Sequence, residues 1–276
     1  VTALAPTARL PRLDHAGRVK FHRILLSEWT KLRSVRSTKW SLGVGFLLTI
    51  AFPVLFAVVT RTHWGSMSPQ DRADRHPLDI ALAGVNVAQL AIAVLGVLLI
   101  SAEYSTGSIR STFTAVPKRL PVLWAKLIDY AAVSLALIVP AVLISFFASQ
   151  AILHNIGQLQ ISFSDPGVAR SVIGGAIYVM LVGIFALSMG AIVRNTAGGI
   201  AAFAAIFFVL PPLMFVLPTS WNNAISQYLP SEAGRQLFAL QHAPHTLTPL
   251  AGGLIFAAYC AAAIVIAAVL LVRRDV

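Results

Sequence analysis

Negative charge is scarce in this sequence. Ten Asp and Glu stand against twenty-one Lys and Arg in 276 residues, and charged residues of both signs make up only 11%. A soluble domain carries roughly 25%. That deficit excludes an ordinary water-facing surface, and with 57% hydrophobic residues lipid is the natural solvent. Cysteine is rarer still. Cys260 stands alone, which excludes a disulfide within the chain and any cysteine-based metal site. There is no Gly-x-x-x-x-Gly-Lys-Ser/Thr sequence to cradle a nucleotide phosphate and no His-Glu-x-x-His to hold zinc. The seven histidines are scattered, and only His242 and His245 stand as close as three apart. No nucleophile stands beside a base. The chain is therefore expected to be no enzyme and to hold no cofactor or metal of its own. A net charge of +11 would suggest nucleic acid in a soluble protein. Here the distribution of the charge matters more than its sum, and no nucleic-acid partner is expected.

What the sequence does have is long apolar runs. Crossing a bilayer takes about 20 predominantly apolar residues. Six segments qualify: Trp40–Thr60, Ile80–Ala102, Pro121–Gln150, Ser171–Val193, Gly198–Leu217 and Leu247–Val272. The fold class is thus all-α, a polytopic bundle of six spanning helices. The third segment is longer than needed, and Trp124, Lys126 and Asp129 place its first turns at the interface. The spans lack internal charge pairs, which argues against a proton relay. Pro211-Pro212 is expected to break the fifth helix near its outer end. Short re-entrant or interfacial helices are expected between Pro218 and Gln241.

Alternate loops differ sharply in basic residues. Sixteen Lys and Arg fall on the side of the two ends and five on the other. By the positive-inside rule both termini are cytoplasmic, in a multi-pass chain of the inner (plasma) membrane. Residues 1–19 lack periodicity and read as a mobile cytoplasmic tail. The basic stretch before the first apolar run, 39 residues long, is too long for the basic region of a secretory signal. Residues 20–39 form an amphipathic helix lying in the inner interface, and 40–276 form the spanning bundle. On a 3.6-residue period Phe21, Ile24, Leu25, Trp29, Leu32 and Val35 share one face, opposite Arg23, Ser27, Thr30, Arg33 and Ser34. Glu28 breaks the pattern by projecting from the apolar side.

The loop after the second span is the most informative stretch: Ser101-Ala-Glu103-Tyr-Ser-Thr-Gly107-Ser-Ile109-Arg110, then Phe113, Pro117, Lys118 and Arg119. Thr106 or Ser108 can cap a short helix. Ile109, Phe113 and Val116 then share a side, and Pro117 stops the turn. Such a helix would present an apolar knob to the cytoplasm, with Arg110 beside it for an acidic groove. The other reading of the same spacing is an ordinary loop whose Phe dips into headgroups.

Glu103-x-x-x-Gly107-Ser108-Ile109 with Pro117, Lys118, Arg119 and Lys126 resembles the Glu-x-x-x-Gly-Ser/Thr-Ile/Leu region of ABC type-2 transporter permeases. Ser27-Glu28-Trp29-Thr30-Lys31-Leu32-Arg33 resembles their entry helix, in the actinobacterial style. The resemblance covers residues 20–276. Many members carry further acidic residues around the loop, where this chain has only Glu103. The resemblance implies two six-helix permease subunits, identical or different, working with two copies of a separate ATPase subunit that binds ATP and Mg. It implies a coupling helix at about 103–119, with Glu103, Gly107, Ile109, Arg110, Phe113 and Pro117 contacting the ATPase. It implies an elbow helix carrying Glu28, Trp29, Lys31 and Arg33, and an outer segment between the fifth and sixth spans that closes the exit.

Glu103 is expected to anchor the coupling helix or to pair with a basic residue of the elbow helix. Glu28 could do likewise, or pair locally with Lys31. Asn86 and Gln89, three apart on the second span, either line a substrate path or join helices. Phe203 and Phe207 either line an apolar cavity or face lipid. The function expected is export of an amphipathic or apolar compound (a drug, antibiotic or lipid-like molecule) by alternating access driven by the ATPase. The alternatives are a lipid or polymer translocator, and a membrane-anchored immunity or sensing subunit that binds a toxic compound without moving it. An ion-coupled carrier is disfavoured by the lack of charge pairs in the spans.

Overall fold

The computed structural model describes residues 20–240 and 245–274. The tail expected at 1–19 and His242 lie outside the described residues, among which there are helices and turns but no strand. Twelve α-helices follow in order: α1 Phe21–Ser34, α2 Arg36–His63, α3 Pro69–Ala73, α4 Pro77–Ser105, α5 Ser108–Ala115, α6 Arg119–Ile152, α7 Val168–Val193, α8 Thr196–Ala204, α9 Leu210–Leu213, α10 Thr219–Ile225, α11 Pro230–Arg235 and α12 Pro249–Arg273. Six stretches are long and apolar enough to cross a membrane: Thr38–Ser66, Pro77–Ser105, Arg119–Ile152, Val168–Val193, Thr196–Val216 and Pro249–Arg273. Each overlaps one of the six apolar runs. An even number of crossings puts α1, α5 and the end of α12 at the same end of the bundle.

α4 and α7 form the centre. More than half of each is buried, against less than a third of α2, of the fifth span and of α12. α4 packs on both α7 and α2. Close approach to α2 depends on a proline and a glycine. Pro53 has no N–H to give to the carbonyl of Thr49, one turn earlier, and α4 brings Gly84 against that carbonyl. A methyl at Gly84 would collide with it. Buried hydroxyls lock other pairs. Tyr130 on α6 donates to the Ile92 carbonyl of α4 at 2.6 Å, and Ser145 donates to the Ala81 carbonyl at 2.7 Å.

The fifth span does not break at Pro211-Pro212. It continues to Val216 through a π-helical turn, Ala205–Val209, then α9 and a 3₁₀ turn at Met214–Val216. The two prolines cannot bond to the carbonyls of Phe207 and Phe208, and their rings would press on them. A wider turn just upstream relieves both problems. Between Pro218 and Gln241 the chain forms α10, a 3₁₀ turn at Ser226–Tyr228, and α11.

α1 and α2 are separate helices, joined at Val35, which is extended. α5 begins differently from expectation. Its cap is Gly107, in the left-handed region at φ 71°. The Thr106 hydroxyl turns back to the Ala102 carbonyl, so neither it nor Ser108 caps the helix through its side chain. The reversal from α4 into α5 takes two residues, Thr106 and Gly107, and only glycine adopts the left-handed conformation of the second without strain.

Candidate functional site: a buried charge cluster under α1

Two carboxylates and two ammonium groups meet where α1, α4, α5 and α6 converge at the basic end. Lys126 of α6 donates to Glu28 Oε2 at 2.5 Å and to Glu103 Oε1 at 2.7 Å. Lys31 donates to Glu28 Oε1 at 2.6 Å, to Glu103 Oε1 at 3.0 Å and to the Thr112 hydroxyl of α5 at 3.3 Å. The four charges sum to zero. The side chains of Lys126 and Glu28 are 2% and 4% exposed, and Lys31 reaches the surface at 37%. Burial works against the Lys31 ammonium, but the hydrogen bonds and negative charge of Glu28 and Glu103 outweigh it and hold its pKa above the ordinary value. One turn beyond Lys126, Asp129 Oδ2 is buried without a partner.

The local sequence explains how each group arrives. Ile24, Glu28 and Leu32 are the three buried positions of α1, spaced four apart on one stripe. Glu28 does not disturb the amphipathic pattern; it is the centre of the docked face. Lys31, three residues on, lies at the edge of that face. Glu103 sits in the last turn of α4. α6 is 34 residues long, about 51 Å at 1.5 Å per residue, so it outruns a hydrocarbon core of about 30 Å. Lys126 lies two turns inside its start.

Lys126 and Glu103 belong to two spanning helices and are bonded directly. The pair sits at the ends of the spans, in turns that the sequence placed at the interface or just past the second apolar run. It therefore leaves the expectation that the spans lack internal charge pairs in place. Lys126 and Thr112 were not among the candidates from sequence. The available signal was a lysine in an apolar helix, which needs a named partner, together with a glutamate on the apolar face of α1.

The apolar knob is also corrected. Ile109 is 2% exposed, and Phe113 packs inward between the main core and a small cluster of Ile24, Val122 and Ala125. α5 needs that face to dock on α1 and α6, because a helix of eight residues does not hold its shape alone. Its outward residues are Ser108, Arg110, Ser111 and Thr114. Pro117 is exposed, two residues past the end of α5. Arg119 then ties the start of α6 to the end of α12. Its guanidinium lies 5.4 Å from the Phe113 ring centre, and it donates to the Leu271 and Arg274 carbonyls at 2.9 Å each. Trp29 and Arg33 stay outside the cluster. Both are exposed, and Arg33 lies over the Trp29 ring at 5.9 Å.

The candidate substrate residues separate. Asn86, Gln89 and Phe207 line a cavity of about 550 Å³ near the opposite end. Phe203 does not line it; it is 2% exposed and stacks on Phe207 at 4.6 Å. Gln89 also joins helices, since its Oε1 accepts from the Tyr178 hydroxyl of α7 at 2.6 Å.

No family model matches this chain, and no curated protein matches it.

Proposed function

We propose that the chain is the permease subunit of an ATP-driven exporter of the ABC type-2 kind, paired with a second permease subunit and two copies of a separate ATPase. The observation that carries this reading is the charge cluster. A short surface helix is bonded through Lys31 and Thr112 to an elbow helix, and both are tied through Glu28, Glu103 and Lys126 to two spanning helices. A push on α5 therefore reaches α4 and α6 as a rigid-body displacement, the kind of motion alternating access requires. The positive-inside rule places this end in the cytoplasm, where a soluble ATPase would meet it.

The contact surface differs from the one the sequence suggested. Arg110, Ser108, Ser111 and Thr114 are the groups a partner can touch, while Ile109 and Phe113 hold α5 in place. Arg110→Glu should leave the melting temperature unchanged and abolish co-purification with a co-expressed candidate ATPase subunit that the parent chain retains. A complex that forms equally well with Arg110→Glu would overturn the assignment of α5 as the coupling helix.

A further inference from the structure

The cavity near the outer end carries a second reading. It is walled by Asn86 and Gln89 of α4, Tyr178 of α7, Phe207 and Phe208 of the π turn, and residues of the α10–α11 segment. Its volume of about 550 Å³ lies in the range of small-molecule sites.

The polar part of the lining is neutral. Asn222, Gln227 and Gln236 add three carboxamides to Asn86 and Gln89, and every carboxamide both donates and accepts. Of the titratable lining residues, Glu232 and Arg235 oppose each other at 3.7 Å, and His245 is the third. Gln89 is held in one orientation: its Oε1 accepts from Tyr178, and its Nε2 donates to the Asn86 carbonyl at 2.9 Å. An amide NH₂ has a second hydrogen, which that bond leaves over. A separate observation points the same way. Ser231 lines the cavity, is 5% exposed, and its hydroxyl has no hydrogen-bond partner. A buried hydroxyl left so costs about 1–3 kcal/mol.

An ion entering this space would lose its hydration and find no net charge in exchange. A purely apolar molecule would strand the amides. We propose that the cavity binds an uncharged amphiphile whose head carries several hydroxyl or amide groups, with its apolar part against Phe207 and Phe208. The head bonds to Asn86, Gln89, Gln227 and Ser231. This deepens the exporter reading by naming a class of substrate, and it rests on that reading for its role. Binding itself needs no ATPase, so the two fail separately.

The test uses the full chain in phospholipid nanodiscs, titrated with octanoyl-N-methylglucamide below its micellar concentration. Octyl sulfate and octyltrimethylammonium serve as controls of the same chain length. Binding is read as a saturable change in tryptophan fluorescence and a rise in melting temperature. The glucamide should bind at least about ten-fold more tightly than either charged compound, the equivalent of one good hydrogen bond to an uncharged head. Asn86→Leu and Gln227→Leu should each weaken it by about the same factor while leaving the melting temperature of the free protein unchanged. Equal binding of all three compounds, no saturable binding of the glucamide, or unaltered affinity in both variants would overturn the proposal. Glucamide binding without any effect on a partner ATPase would leave the site standing and count against the exporter.

Discussion

The two ends of α4 hold polar side chains in opposite ways. At the basic end Glu103 lies in a net of four charges, each bonded to two others, with Lys31 bonded to the Thr112 hydroxyl as well. Near the other end Asn86 and Gln89 are uncharged and border open space. A charge removed from water must be matched at once, or its burial costs several kcal/mol. A carboxamide can be left half-satisfied at much lower cost. The contrast assigns the ends different work. The charged end pairs its four charges with one another, leaving only Glu103 Oε2 among their oxygens without a hydrogen bond, and fixes the relative positions of four helices. The amide-lined end keeps bonding capacity for a molecule that arrives.

The largest effect should come from opening the charge net. Lys126→Met leaves Glu28 and Glu103 facing each other with only the partly exposed Lys31 between them. A loss of about 3–5 kcal/mol is expected, seen as a large fall in melting temperature in detergent. Adding Glu28→Gln and Glu103→Gln should recover much of it. If Lys126→Met melts like the parent chain, the net does not tie the helices together and the contrast between the ends collapses.

Gly107→Val should come next. It forces a β-branched residue to φ 71°, at about 1–2 kcal/mol. The loss should appear as proteolytic sensitivity between α4 and α5 while the spans stay protected. A variant cleaved no faster than the parent would show that the reversal tolerates another backbone.

The third effect is a pH dependence confined to the charged end. The pKa of Lys31 is raised above its ordinary 10.5 in the folded chain. Its contribution is therefore fully present below 10.5 and is lost as pH rises through the higher folded value. Amides of α1 should exchange hydrogen faster, relative to those of α7, as pH enters that range. Lys31→Gln should abolish the difference. An α1 that loosens at neutral pH instead would assign the docking to other groups.

The smallest effect is expected at the amide-lined end. Ser231→Ala removes the unpartnered hydroxyl and should stabilise the unliganded protein by up to about 1 kcal/mol. A clear destabilisation would mean that the hydroxyl already has a partner.

The spans were legible because apolar runs of the required length have few other uses, and all six fell where the composition placed them. The turn at Gly107 was legible in part. Glycine marked the reversal, but the choice between a side-chain cap and a left-handed residue depended on how α4 ends. Glu28 was visible as an exception on an amphipathic helix, without its meaning. The helix period gives the face on which a residue lies, while its partner Lys126 is 98 residues away along the chain. Ile109 and Phe113 were placed on the right side of their helix and given the wrong neighbours. The spacing of an apolar stripe does not tell whether it docks on its own protein or on another. The π turn before Pro211 was not legible, because proline forbids one hydrogen-bond pattern without choosing among the remedies.

Composition and order alone therefore determined the apolar character of the chain, the number of helices long and apolar enough to cross a membrane, the asymmetry of basic residues and the position of the short helix after the second of them. These follow from local length, polarity and periodicity. Only the tertiary structure decided that Glu28, Lys31, Glu103 and Lys126 form one neutral cluster, that the apolar face of α5 is spent inside the molecule, and that Gln89 is held by Tyr178 at the wall of a cavity. Each of those depends on residues far apart in sequence, whose meeting is set by how helices pack, through glycine contacts and buried hydroxyls, rather than by anything written within one helix.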